Sequence, residues 1–246
     1  MNKEWFDSKY FEPYYRNRDQ AEADKFADNI LNFIKIKKGE SALDVCCGNG
    51  RLSIALNTRG LKVVGLDYSK VQIDIAKKSE TESLQFVLCN IENYSTIERF
   101  DYTFNFFSSF GYVDSITNLK ILQILYDYLN PKGKLILDYW NCSNKKFQSM
   151  LSENKIVYKE KSIDKVKVKS QAYFERGFYQ KDISFFENDN VETFHEQIMP
   201  ITKNDFEDYF KKSNFEILNI FGNYDLKQFD EVNDERQIFI VQKKAD

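Results

Sequence analysis

A chain of 246 residues with 42% hydrophobic and 30% charged residues has the composition of an ordinary globular protein, long enough for one α/β domain with a large insertion. A net charge of −3 argues against a protein wrapped in nucleic acid, and no stretch approaches the roughly 20 apolar residues of a membrane span. Four cysteines, Cys46 and Cys47 adjacent, form neither a disulfide framework nor paired zinc-ligand spacing; with no apolar signal region at the start, the expected compartment is the cytoplasm and no metal is expected.

In chain order, residues 1–18 are aromatic and charged, including Trp5, Phe6, Tyr10, Tyr15 and Arg18, and read as a docking segment. Asp19 is placed to cap a helix over 20–36, where Phe26, Ile30, Phe33 and Ile34 form an apolar stripe and Lys37-Lys38-Gly39 supplies a stop. Strands at 41–45, 62–67, 84–89, 101–106 and 133–140 are predicted to alternate with helices at 50–59, 69–79 and 116–129. Ser69 stands at an N-cap, and Asn130-Pro131-Lys132-Gly133 is a turn before the last of these strands. Such alternation predicts a parallel sheet covered by helices on both faces.

After Asn144 the rhythm changes. Residues 156–201 carry period-two segments, such as Lys165-Val166-Lys167-Val168-Lys169, that predict an antiparallel meander of three or four strands. A helix at 202–212 and strands at 215–222 and 235–243 return to the α/β style. The expected organisation is therefore an α/β domain made of 1–143 plus 202–246, with an antiparallel β-insertion at 144–201 serving as a substrate lid or as the interface of a homodimer.

The chemistry concentrates in Asp44-Val45-Cys46-Cys47-Gly48-Asn49-Gly50-Arg51, where a strand ends in a carboxylate and a Gly-x-Gly turn opens a helix. Glycine permits close backbone approach, and the helix start offers free amides. Asp67 ends the next strand, placed to accept from ribose hydroxyls. A dinucleotide site needs a third glycine three residues after Gly50, and Ser53 stands there instead.

This run, followed by Gly65-Leu66-Asp67-Tyr68-Ser69, Cys89-Asn90-Ile91-Glu92, the stretch Phe100–Tyr112 and Leu129–Asp138, resembles the class I S-adenosylmethionine-dependent methyltransferases, in particular a bacterial small-molecule branch. The resemblance implies a Rossmann-like α/β sheet of seven strands, the last one antiparallel. It implies that the Gly48–Gly50 loop passes under the methionine part of S-adenosylmethionine, with Asp44 near its ammonium group and Cys46 standing where the pattern has Gly or Ala. Asp67 would take the ribose hydroxyls, with Tyr68 and Ser69 following and Tyr68 packing on the adenine. Asn90, in place of the usual Asp, would bond the adenine amino group, with the Ile91 amide on a ring nitrogen. Asn105 and Phe106 would end the fourth strand at the reaction centre, while Tyr15 and Arg18 close over the cofactor, Arg18 on its carboxylate.

The acceptor end is less explicit. His195, the sole histidine, reads either as an ordinary strand residue or as a general base, and Glu196 as a ligand for a substrate amine. Tyr173, Phe174, Tyr179, Phe185 and Phe186 are expected mainly to pack the insertion, with a pocket over the sulfonium as the alternative. The lysines at 159, 161, 165, 167 and 169 are expected to protect an edge strand. The segment Tyr224–Asp230 and Arg236 resemble the same branch, without an assigned role. The expected function is methyl transfer from S-adenosylmethionine to a small-molecule acceptor, an amine being the first expectation by analogy with the family, with no membrane or nucleic-acid partner. An RNA- or protein-modifying methyltransferase using the lysine face, and a non-catalytic nucleoside-binding regulator, remain as alternatives.

Overall fold

The computed structural model describes residues 3–152 and 156–244. Two short helices, α1 (Lys3–Phe6) and α2 (Phe11–Tyr14), precede α3 (Gln20–Ile34), which Asp19 caps by accepting from the Glu22 amide at 2.9 Å. The helix stops two residues before the expected Ile36, because Lys35 turns left-handed at φ 54° and its amide closes onto Leu31.

Strand and helix then alternate: β1 (Ser41–Val45), α4 (Arg51–Thr58), β2 (Lys62–Asp67), α5 (Lys70–Ala76), β3 (Leu84–Leu88), β4 (Phe100–Asn105), α6 (Ser115–Tyr128) and β5 (Leu129–Trp140). The expected turn at Asn130–Gly133 is absorbed into β5 as an irregularity, where the register against β4 jumps from Phe100↔Leu129 to Tyr102↔Lys134 and Lys132 adopts φ 63°. Helix α7 (Lys145–Ser152) follows; the sequence reading had no helix there. The meander has four strands, β6 (Val157–Ile163), β7 (Val166–Glu175), β8 (Phe178–Glu187) and β9 (Asn190–Ile198), and pairs in that order as a separate antiparallel sheet. Helix α8 (Lys203–Lys212) opens with a Thr202–Asp205 capping box and leads to β10 (Phe215–Phe221) and β11 (Arg236–Lys243).

The main sheet has seven strands in the order β10-β11-β5-β4-β1-β2-β3, with β11 antiparallel to both its neighbours. Helices α3, α4 and α5 bury Phe26, Ile30, Leu56 and Ile73 against one face; α6 and α8 bury Leu122, Leu125, Phe206 and Phe210 against the other. A third apolar cluster joins Trp5 and Tyr10 to Ile183, Phe185 and Phe194, so the N-terminal segment packs on the small sheet. Among the described residues no helix is long and apolar enough to cross a membrane.

Candidate active site

The order β4-β1-β2 reverses the winding direction at β1, and the carboxyl ends of these strands open a crevice there. The chain leaving β1 fits that crevice through three left-handed residues: Cys46 at φ 61°, Gly48 at φ 56° and Gly50 at φ 84°. At Gly50 a Cβ would also lie 2.6 Å from the Phe86 ring, so no other residue fits. Cys46 adopts this conformation without being glycine, which stores backbone strain beneath the site.

Two connected chambers lie above the loop. The larger, about 450 Å³, is lined by Gly48, Arg18, Tyr15, Phe107, Trp140, Tyr179 and Glu196 among others. The smaller, about 60 Å³, lies against Asn90, Ile91, Asn105 and Val113. Cys46, Asp67, Tyr68, Ser109 and Tyr112 line both and mark where they join.

Asp67 is oriented by two amides, accepting from Gly48 N at 2.9 Å and Ser69 N at 2.8 Å, one on each oxygen. Burial raises its pKa, against the pull of those amides and of the Tyr68 amide. Tyr68 Oη and Asn105 Oδ1 are buried with no hydrogen-bond partner among the described residues, while Asn105 Nδ2 is fixed on Val45 O at 3.1 Å. Asn90 is exposed at the rim, its side chain capping the turn at Glu92 N. Ser69 lines neither chamber, because its hydroxyl is engaged with Asp7 at 2.6 Å and the Gln72 amide at 3.2 Å.

Asp44 sits behind the loop and lines neither chamber. Ser53 Oγ, at the position of the missing third glycine, donates to it at 2.5 Å. Burial pushes the Asp44 carboxyl up to about 7, although the Ser53 bond opposes the shift. A carboxyl with a folded pKa above its unfolded one binds its proton more tightly in the native state, so its contribution to stability is complete below about pH 4 and is lost as pH rises through about 7. Melting temperature of the ligand-free protein is expected to fall across that window more steeply than in Asp44→Asn, by at most about 1.4 kcal/mol per pH unit. Parallel pH profiles of the two proteins would count against this.

The strand that ends at the crevice presents Phe107 rather than Phe106. Phe106 packs on Phe26 in the core at 4.4 Å, whereas Phe107 and Ser108, left-handed at φ 56° and 58°, turn the chain into the chamber wall. Asp138, fully buried at the end of β5, holds this turn. It accepts from Phe107 N at 2.9 Å, from Tyr224 Oη at 2.9 Å and from Arg236 Nε at 2.8 Å, and Arg236 also reaches Ser108 Oγ at 3.1 Å. Tyr224 and Arg236, left without a role by the sequence, thus brace the loop after β4.

The roof is composite. Trp5 Nε1 donates to Glu196 Oε1 at 2.5 Å and Tyr15 Oη to both oxygens at 2.8 and 3.0 Å, with Lys181 Nζ at 3.4 Å. Tyr10 stacks on Phe185 at 4.2 Å, and Asn49 holds Glu12 at 3.0 Å. Glu196 therefore faces the chamber but is already filled with donors. Arg18 lies over the rings of Tyr15 and Phe107 at 4.6 and 5.6 Å and forms no ion pair among the described residues. Trp140, Phe147 and Tyr179 form an aromatic wall, ring centroids 4.3–5.8 Å apart.

His195 corrects the reading as a base. Side chains alternate along β9, so His195 points away from Glu196 and lines neither chamber. Its Nδ1 pairs with Asp182 at 2.7 Å, beside Gln171 and Tyr173 on the outward face. Of the five aromatic residues weighed for the pocket, Tyr179 is in its wall, and Phe185 lies under Trp5 and Tyr10.

A family model described as a methyltransferase domain matches residues 36–197, well over half of the chain. A demethylmenaquinone methyltransferase of Bacillus licheniformis is 30% identical over 137 residues, which is 51% of this chain and 59% of that protein. One from Oceanobacillus iheyensis is 33% identical over 117 residues, covering 44% and 48% respectively, so the chain spans about half the length of these relatives. Among solved structures, an S-adenosylmethionine-dependent methyltransferase from Clostridium acetobutylicum superposes with a TM-score of 0.80 at 20% identity, over 96% of both chains. The CcbJ methyltransferase of Streptomyces caelestis gives 0.82 at 12% identity over 100% of both, and the sugar N-methyltransferase KedS8 of Streptoalloteichus gives 0.69 at 16%, over 96% of this chain and 93% of that one. The chain belongs to the methyltransferase-domain family and has the fold of the class I S-adenosylmethionine-dependent methyltransferases.

Proposed function

We propose that the protein is an S-adenosylmethionine-dependent methyltransferase acting on a small molecule, at an amine nitrogen. The observation that carries the reading is the pair of joined chambers over the Gly48 loop, with Asp67 at their junction. The residues fit the cofactor. Asp67 would accept from the ribose hydroxyls, and Tyr68 and Asn105 line the smaller chamber, Asn105 Oδ1 being buried without a partner among the described residues. Arg18 and the Gly48–Arg51 amides would hold the carboxylate end.

S-adenosylmethionine supplies a methyl group already activated on a sulfonium. The chain then has to exclude water and hold an acceptor lone pair in line with that methyl, tasks suited to Tyr15, Tyr112, Phe107 and the Trp140–Phe147–Tyr179 wall. A neutral amine brings its own lone pair, and the site presents no histidine to remove a proton. The sugar N-methyltransferase KedS8 and the glycopeptide N-methyltransferase MtfA share this fold, which supports nitrogen as the acceptor atom.

The test is thermal unfolding with S-adenosylmethionine and S-adenosylhomocysteine, followed by mass spectrometry of small-molecule extracts incubated with both protein and cofactor. A dose-dependent rise in Tm with either ligand and a mass gain of one methyl in an amine are expected. No shift with either ligand would refute the assignment. His195→Ala should leave the shift intact and cost under about 1 kcal/mol of stability, since its hydrogen bond with Asp182 is partly exposed.

A further inference from the structure

The lysines of residues 159–169 divide between two environments. Lys167 and Lys169 lie on the outward face and both approach Glu160, at 2.9 and 4.0 Å. Lys159 and Lys161 flank Glu160 on β6 and project the opposite way, toward the N-terminal segment, the side on which Lys181 leaves β8. Between them β7 contributes the shorter side chains Val168, Ser170 and Ala172, opposite Lys161, Lys159 and Lys181 in turn, so the lysines rise from a shallow trough. Lys159 and Lys181 both line the large chamber.

Charge in this trough does not balance. Lys181 shares Glu196 at 3.4 Å with Trp5 and Tyr15, whose hydrogen bonds already occupy that carboxylate. Lys161 lies over the Tyr14 ring at 3.8 Å and donates to its carbonyl at 3.4 Å. Lys159 has no hydrogen bond or ion pair among the described residues. Burial, with the nearby cations Lys181, Arg16 and Lys159, holds the Lys161 ammonium below its ordinary pKa. Gathered like charges repel, and an anion placed among them removes the repulsion.

We propose that the methyl acceptor carries an anionic group, a phosphate or a carboxylate, held against the β-insertion by Lys159, Lys161 and Lys181. The inference rests on the acceptor-site reading given above. A small molecule fits better than RNA, because the outward Lys167 and Lys169 are paired with Glu160, while Lys159 and Lys181 line the large chamber and Lys161 lies beside them.

The experiment titrates inorganic pyrophosphate, and malonate as a dicarboxylate, into the full chain by calorimetry, with and without saturating S-adenosylhomocysteine. Saturable binding of one or both anions is expected, weakening with added salt; the tighter of the two identifies phosphate or carboxylate. Lys159→Gln and Lys161→Gln should each weaken it roughly five- to tenfold, while the Lys167→Gln/Lys169→Gln double variant leaves it unchanged. S-adenosylhomocysteine binding by each variant serves as the folding check. Absence of anion binding in the wild type, equal loss in the outward double variant, or tighter binding of a short single-stranded RNA would each overturn the proposal. Anion binding without any S-adenosylhomocysteine binding would instead sink the cofactor reading and leave an anion site standing.

Discussion

Asp67→Ala is expected to weaken S-adenosylhomocysteine binding by at least about 100-fold. Two hydrogen bonds from ribose hydroxyls to a carboxylate are worth roughly 1.5–3 kcal/mol each, and every 1.4 kcal/mol is tenfold in affinity. At a ligand concentration about 1,000 times the wild-type Kd, the wild type gains about 4 kcal/mol of stability by mass action and the variant about 1.4. For a chain of this size that corresponds to a Tm rise of roughly 8–16 °C against 3–6 °C. The substitution also leaves the Gly48 and Ser69 amides without their acceptor. Ligand-free Tm should therefore fall by a few degrees, partly offset because a buried carboxylate with a raised pKa is itself costly. Calorimetric titration beside thermal unfolding separates the two effects. A Kd within a few-fold of wild type would remove Asp67 from the ribose.

Arg236→Met is expected to destabilise the protein by about 3–5 kcal/mol, lowering Tm by roughly 6–20 °C. The reason is geometric. Asp138 is fully buried and the Arg236 side chain four-fifths so, and removing the cation leaves a carboxylate with no counter-charge in contact. The Phe107 amide and Tyr224 hydroxyl still donate to it, so the loss should fall short of an isolated buried charge. Tyr224→Phe removes one donor alone and should cost about 1 kcal/mol. Because Arg236 also ties Ser108, the loop after β4 loosens in the variant, and ligand affinity should fall along with stability. Stability within 1 kcal/mol of wild type in urea denaturation would show that the brace is dispensable.

What the sequence made legible had local causes. The Gly48–Gly50 turn, the carboxylates at the ends of β1 and β2, and the alternation of strands with helices each follow from a few adjacent residues. What escaped depended on geometry a few residues or many apart. Helix α7 is short and opens on two lysines, and its one local signal is the cap Asn144, which accepts from the Lys146 amide at 2.9 Å. Phe106 and Phe107 exchange roles because the left-handed turn begins at Phe107, breaking the alternation that would have carried Phe106 to the strand end. For the neighbours His195 and Glu196 the chain shows that they face opposite ways, but which face meets the chamber is set by Trp5 and Tyr15, about 180 residues earlier. The same holds for the lysines of β6 and β7, and the wall of Trp140, Phe147 and Tyr179 draws on three separate elements. Ser53 was read only as an absent glycine; its role as the partner of Asp44 needed the helix placed on the sheet.

Trp5 and Tyr10 have their native partners in Phe185 and Phe194. During synthesis this segment leaves the ribosome well before its partners and is therefore among the last to find its place, since strands β8 and β9 must be made and paired first. The first three strands of the main sheet and the helices after them emerge early and make near-neighbour contacts, whereas the roof depends on contacts of long sequence separation, which form slowly. The nascent protein thus passes through a stage in which the nucleoside cradle is built and stands open, and covering it is a late event of folding. A pulse-labelled hydrogen-exchange experiment should find the amides of β1 and β2 protected before those of β8 and β9, and the indole of Trp5 buried last.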